Sequence, residues 1–526
     1  MKKYAYLLLF TAYFLTACQK GFLEKGPLDR FTDETVWKDS ALVNLYVANI
    51  YSGIISEYDR AGDALSMSYT DEGEANRPYL DCQLVNFAQY NAATGVFSSS
   101  WTDNYTSIRK CNTLLEQLQS APFSAALQQR MRGEAFFLRA LFYMDIYQHF
   151  GAFPIIDKAL GLNDELAVPR ATNKACVDFI LKDLEAAAAI LPAKYTDLAQ
   201  TGRATKGACY AMKCRLLLNE LDYQGAAAAA KQVMDLNQYK LFPDFKSMFQ
   251  PANDNNVEVI FDKQFGSLQS KQKHDLNSYE YPRNFTGFAS GVNDPTQNIV
   301  DAFLMKDGKP WDQSPLYNPD HPYDNRDPRL YASVLYDGIM FRGEILDLRL
   351  GSAANPTDRG TPTGYYLKKF LDTTYDLKGL SVPNFNNCVI MRMGEVYLNY
   401  AECQLKLGNP EEARTYVNLI RARAGMPEIL PGEMTWDKYE RERTVELAFE
   451  GQRWADIRRW KKGPEIIGQP TYGMVISVVN GKRTYTRTKI EDRVFIAPMM
   501  YLFPIPQTVL NKYPAGKELV QNPDWK

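Results

Sequence analysis

Helical periodicity constrains this chain more than any other feature. Trp101, Tyr105, Ile108, Leu115 and Leu118 recur close to the 3.6-residue period of an α-helix. Leu127, Met131, Leu138, Phe142 and Ile146 make one face of a second segment, which Gly151 and Pro154 stop. Further helices are expected at 173–191, 206–220, 224–236, 392–407, 410–424, 436–450 and 454–460. Such a chain is mainly α.

Some of these segments pair. Ala401, Gly408, Ala413, Val417 and Ile420 fall at the small and apolar positions of a tetratricopeptide repeat. Small residues let two helices approach, and the apolar ones fill the seam. Ala226, Ala230 and Val233 repeat the spacing of Ala413, Val417 and Ile420. The copies lie far apart, so the repeats are split by insertions. Generic antiparallel helix packing gives a similar spacing.

The largest insertion is irregular. Between 242 and 385 the chain is rich in Asn, Asp, Pro, Gly and Tyr, with a short strand expected at 257–261. The chain holds 33 Tyr and 27 Phe, which argues against disorder in this stretch. Long structured loops on a helical scaffold are usually functional.

The amino terminus reads as an export signal. Lys2 and Lys3 precede an apolar run through Leu7, Leu8, Leu9, Phe10, Phe14 and Leu15. That run is too short to span a bilayer, and Leu15, Thr16, Ala17 and Cys18 close it, as at a cleavage site. No later stretch is long and apolar enough for a membrane helix. With 60 basic and 62 acidic residues, the net charge of −2 argues against nucleic acid as a partner. Three histidines leave little for a zinc site or a His-based triad. Cys82, Cys111, Cys176, Cys209, Cys214, Cys388 and Cys403 are odd in number, and most sit in helical segments as small apolar groups. No disulfide framework, metal or cofactor is expected.

Glu442, Glu446 and Glu450 recur at i, i+4 among Arg441, Arg443, Arg453, Arg458 and Arg459. This reads as ion pairs across helix turns rather than as an anion site. Ligand chemistry is expected elsewhere. Trp311, Tyr317 and Tyr323 lie among Pro, Asp and Asn, and Asn284, Phe285 and Phe288 precede Pro295. Arg77 and Tyr79 stand in irregular chain before the first long helix. Aromatic rings beside amides and carboxylates are what a sugar's flat C–H faces and hydroxyls need. The competing reading of each ring is packing inside a loop core, where most large aromatics end up.

Taken in order, the motifs resemble the SusD/RagB family of glycan-binding lipoproteins. They begin with Phe22, Leu23, Glu24, Pro27 and a Trp37 that opens the first helical stretch. The run Gly133, Glu134, Ala135, Phe136, Phe137, Leu138, Arg139, Ala140 leads to Tyr147 and Gly151. Asn325, Arg326, Asp327, Pro328 and Arg329 follow, then Gly451, Gln452, Arg453, Trp454, Asp456 and Arg458, and finally Gln521, Asn522 and Pro523. Gln452 stands where the family often has His.

The resemblance implies a helical, tetratricopeptide-like scaffold with long loops and a few short strands. It divides the chain into a leader at 1–17, an N-terminal helical region at 18–240 and a C-terminal region with variable loops at 241–526. It also implies lipid on Cys18, attachment to the outer membrane at the cell surface, and delivery of an oligosaccharide to a SusC-type TonB-dependent transporter. By the same resemblance Trp101 and Asn104 could contact glycan, though core packing of that Trp is an equal alternative. Peptide or glycoprotein binding, and less so glycoside hydrolysis, are the alternatives. No nucleophile elbow, metal cluster or phosphate loop marks an enzyme.

Overall fold

The computed structural model describes residues 36–266, 273–283, 289–374 and 384–525. Its helices begin where side chains can cap them. Asp39 accepts from the Ala41 N–H at the head of α1 (Ser40–Ser52). The helices α2 (Ser98–Gln117), α3 (Ala125–Phe150), α4 (Asn173–Ile190), α5 (Lys206–Asn219) and α6 (Tyr223–Asp235) follow. Ser124, Thr172, Thr205 and Asp222 cap α3 to α6 by accepting one backbone N–H each. Gly151 ends α3 at φ 73°, a left-handed position that suits glycine.

From α2 to α6 each helix packs on the next. The chain then leaves the row for more than 150 residues. It returns as α7 (Met393–Lys406) and α8 (Pro410–Arg423), and α7 packs directly on α6. The two repeat copies seen in the sequence are thus neighbours in space. Ala226, Ala230, Ala401, Ala413, Val417 and Ile420 are all fully buried in the seams. Near the points of exit and return, β1 (Val259–Lys263) pairs antiparallel with β2 (Cys388–Arg392), with Lys263 opposite Cys388. That pairing clamps the base of the insertion onto the helical row.

Two large cores result. One runs through the helices. The other lies under the loops, around Tyr58, Phe249, Phe303, Leu330, Tyr365 and Phe370. The helix α9 (Trp436–Glu446) brings a buried ion network to the join. Here the structure differs from the expected pairing across helix turns. Glu442 pairs with Arg329 (2.6 Å) and Arg421 (2.8 Å); Glu446 pairs with Arg329 (3.0 Å), Arg392 (2.7 Å) and Arg423. Glu450 pairs with Arg392 and Lys369, both at 2.6 Å. The partners come from distant elements because α9 is buried on most sides, so its carboxylates meet other segments before its own turns. Arg443 pairs with Asp456 in α10 (Arg453–Trp460). Buried charges need such partners, or desolvation would neutralise them. The seven described cysteines are all buried and unpaired.

Candidate functional site

The structure separates the residues marked in the sequence. Trp101 is only 4% exposed and packs edge-on against Phe150, with Tyr105 beside it. Asn104 is buried one turn on, and its amide donates to the Ser100 carbonyl (2.5 Å) and to Asp145 (2.6 Å). Tyr323 is 5% exposed, packed tilted against Tyr336 and edge-on against Tyr365 and Tyr485, with its hydroxyl donating to that of Tyr365. These three side chains are committed to packing. Trp311 and Tyr317 are half-buried and face each other at 5.0 Å. Asn284, Phe285 and Phe288, like Cys18, lie outside the described residues.

Arg77 and Tyr79 lie near open surface. The backbone there is held by a short antiparallel pair, Gly73–Ala75 against Asn293–Pro295. The Asn76 amide then donates to the carbonyls of Ser290 (2.8 Å), Gly291 (2.5 Å) and Arg359 (3.3 Å), tying three loops together. Arg77 donates to the Gly62 carbonyl at 2.9 Å and lies over the Tyr279 ring. Tyr79 has no such constraint and is 73% exposed.

Pro78, its chain neighbour, lines a shallow depression of about 410 Å³. Asn76, Pro78 and Gln83 form one wall, Asn355 and Arg359 a second, and Glu491 a third. Its groups are fixed by their neighbours. Gln83 donates to Glu74 (3.0 Å), which also takes Arg493 (2.6 Å); Arg493 in turn reaches Glu491 (2.9 Å). Burial, then the nearby Glu74 carboxylate, raises the pKa of Glu491, with Arg493 opposing. The arrangement offers amides, a guanidinium and carboxylates in one depression, and among the described residues no His, Cys, Asp and Glu group is placed to hold a metal. Sequence reading missed Asn355, Arg359 and Glu491. The polar, turn-rich run around Asn355, Pro356 and Gly360 is the signal that could have flagged two of them.

A second cavity, about 520 Å³, opens where the C-terminal end of α3 meets α10 and the chain's last segment. None of the described residues marked in the sequence as ligand contacts lines it.

The fold defines a helical-repeat protein that carries long structured loops, with the candidate site among them. Residues 257–525 match the SusD family, and residues 21–218 match a family described as starch-binding associating with outer membrane. The chain belongs to the SusD family of outer-membrane-associated glycan-binding proteins. A SusD-like protein of Formosa agariphila is 23% identical over 86% of this chain and 88% of its own. The crystal structure of a SusD-like protein from Bacteroides fragilis superposes with a TM-score of 0.84 at 30% identity, covering 95% of this chain and all of that one. A laminarin-binding SusD-like protein superposes with a TM-score of 0.71 at 22% identity, covering 93% and 100%.

Proposed function

We propose that this protein captures an oligosaccharide on its loop-bearing face, without cleaving it, and passes it to a SusC-type barrel transporter. The observation that carries this is Tyr79: a large ring, mostly exposed, and the chain neighbour of Pro78 in the wall of a depression lined with amides and charged groups. An exposed ring in a fixed setting is a surface for a sugar face, and the flanking groups match sugar hydroxyls. Membership of a glycan-binding family supports the ligand class, and the fold likeness to a laminarin-binding protein puts β-glucans first in a panel.

The test is calorimetry with neutral oligosaccharides on the parent and on Tyr79→Ala. Loss of a central aromatic anchor should cost about 2 kcal/mol, close to a thirtyfold drop in affinity. A folded Tyr79→Ala that binds as the parent does would place the ligand elsewhere. Attachment through lipid on Cys18 belongs to the same reading. It fails if Cys18→Ala remains lipidated at the membrane. The transporter partnership fails if repeated purification in mild detergent recovers no barrel.

A further inference from the structure

The larger cavity shares no lining residue with the loop-face depression and meets the ion network at Arg459. Its wall gathers three cations. Arg458 is 7% exposed, and its guanidinium donates to the backbone carbonyls of Gln148 (2.5 Å) and His149 (3.4 Å). Arg60 lies over the Phe97 ring at 5.2 Å, and the Lys461 ammonium lies 4.4 Å from the Tyr501 ring centre. Among the described residues none of the three has a carboxylate at ion-pair distance, whereas Arg459 beside them is paired with Glu402 and Asp456.

Arg458 sits close enough to Lys461 to act on it, and Arg60 and Arg458 both act on His149. Burial lowers the Lys461 pKa, and so does the neighbouring Arg458. Burial lowers His149, which Asp145 opposes while Arg60 and Arg458 add to the fall. Burial brings Arg458 itself down to about 9.

Four carboxylates share the wall, and among the described residues none of them lies at ion-pair distance from these three cations. Glu57 accepts the Ser66 N–H (2.8 Å), Asp145 accepts the Asn104 amide, and Glu220 accepts the Tyr147 hydroxyl (2.8 Å). Asp524 is exposed near the end of the chain. Among the described residues the indole N–H of Trp454, 9% exposed in this wall, has no hydrogen-bond partner. A cavity of this size falls within the usual range for small ligands, about 300–1,000 Å³. Cations that no carboxylate pairs at close range can hold an oxyanion.

We infer that this cavity is a second ligand site, separate from the loop face, that takes the carboxylate or sulfate group of an acidic sugar. Arg60, Arg458 and Lys461 hold the oxyanion. Tyr501 offers its hydroxyl to the sugar. Because the site is distinct, it stands whether or not Tyr79 anchors a neutral glycan.

The experiment is calorimetry at low salt on the full chain, with three probes: a galacturonic acid trimer, a sulfated galactose trimer and a neutral galactose trimer. At least one acidic trimer should bind at least tenfold more tightly than the neutral one. The arm that responds separates carboxylate from sulfate. Arg458 is buried and its loss endangers folding, so the variants are Arg60→Gln and Lys461→Gln. Each should weaken acidic-trimer binding by about tenfold, the scale of one charge-assisted hydrogen bond, while Tyr79→Ala leaves it unchanged. Failure of both acidic trimers to bind the folded parent overturns the inference. So does equal binding of acidic and neutral trimers, parental affinity in the Arg60→Gln, Lys461→Gln double variant, or loss of acidic binding in Tyr79→Ala.

Discussion

Residue identity alone could not separate Trp101 from Tyr79. Both are aromatic, and both stand where a sugar could be stacked. Depth decides between them: Trp101 fills the helical core against Phe150, while Tyr79 is held out by a backbone that Asn76 ties down. Spacing along one helix says which side chains share a face, not how deep that face sits. Trp101→Ala should therefore cost about 3–5 kcal/mol in stability, as large core truncations do. Denaturant unfolding measures that cost. At a temperature where the variant remains folded, its glycan affinity should equal the parent's.

Titration supplies a second residue-scale prediction. Burial pushes Glu72 up to about 8, Glu280 and Asp254 to about 7 and Asp262 to about 6. An unfolded carboxylate titrates near 4, so between about pH 4 and 8 the folded chain holds the extra protons. Stability should fall as pH rises through that window. Glu446 behaves oppositely. Burial alone would raise it, but Arg423, Arg392 and Arg329 outweigh burial and hold it below the usual carboxylate range. Arg392 and Lys369 lower Glu450 in the same way against burial. Their contribution is present above about pH 4 and is lost as pH falls through the folded values. Urea midpoints should therefore peak near pH 5. A midpoint that rises steadily from pH 5 to 8 would contradict these assignments.

At the scale of elements, the helices were legible and their setting was not. Apolar spacing located the helices from α2 to α8 to within a few residues, because 3.6-residue periodicity is a local property. The strand expected at 257–261 forms two residues later, at Val259–Lys263. The hairpin Thr471–Val479 with Lys482–Glu491 was overlooked, although Asn480 and Gly481 form a two-residue turn signal between its strands. Both turn residues have positive φ, 50° and 76°. A Cβ at Gly481 would meet nothing within 4 Å, so conformation alone sets the cost of substitution. Gly481→Ala should weaken the hairpin by about 1 kcal/mol. Amide exchange in 471–491 should speed up while exchange in α5 to α8 stays as it was. The ion network was legible as charge pairing, but its partners were not, because pairs such as Arg392 with Glu258 and Arg329 with Glu446 join segments more than a hundred residues apart.

At the scale of the whole molecule, one arrangement explains the rest. A helical row is opened between α6 and α7, and the inserted chain is clamped by β1 and β2, so long loops can be held rigidly on a stable base. Binding residues on such loops can vary without disturbing the repeats. The same arrangement hid the site from the sequence: Asn76, Asn355 and Glu491 meet in one depression from three remote parts of the chain. The central claim is that glycan binds there. Hydrogen–deuterium exchange, with and without a saturating neutral oligosaccharide that calorimetry shows to bind, tests it most directly. The account predicts protection in 74–83 and 350–362, with the helices α4 to α8 unchanged. Protection confined to the helical row, with those loops exchanging as in the free protein, would contradict it.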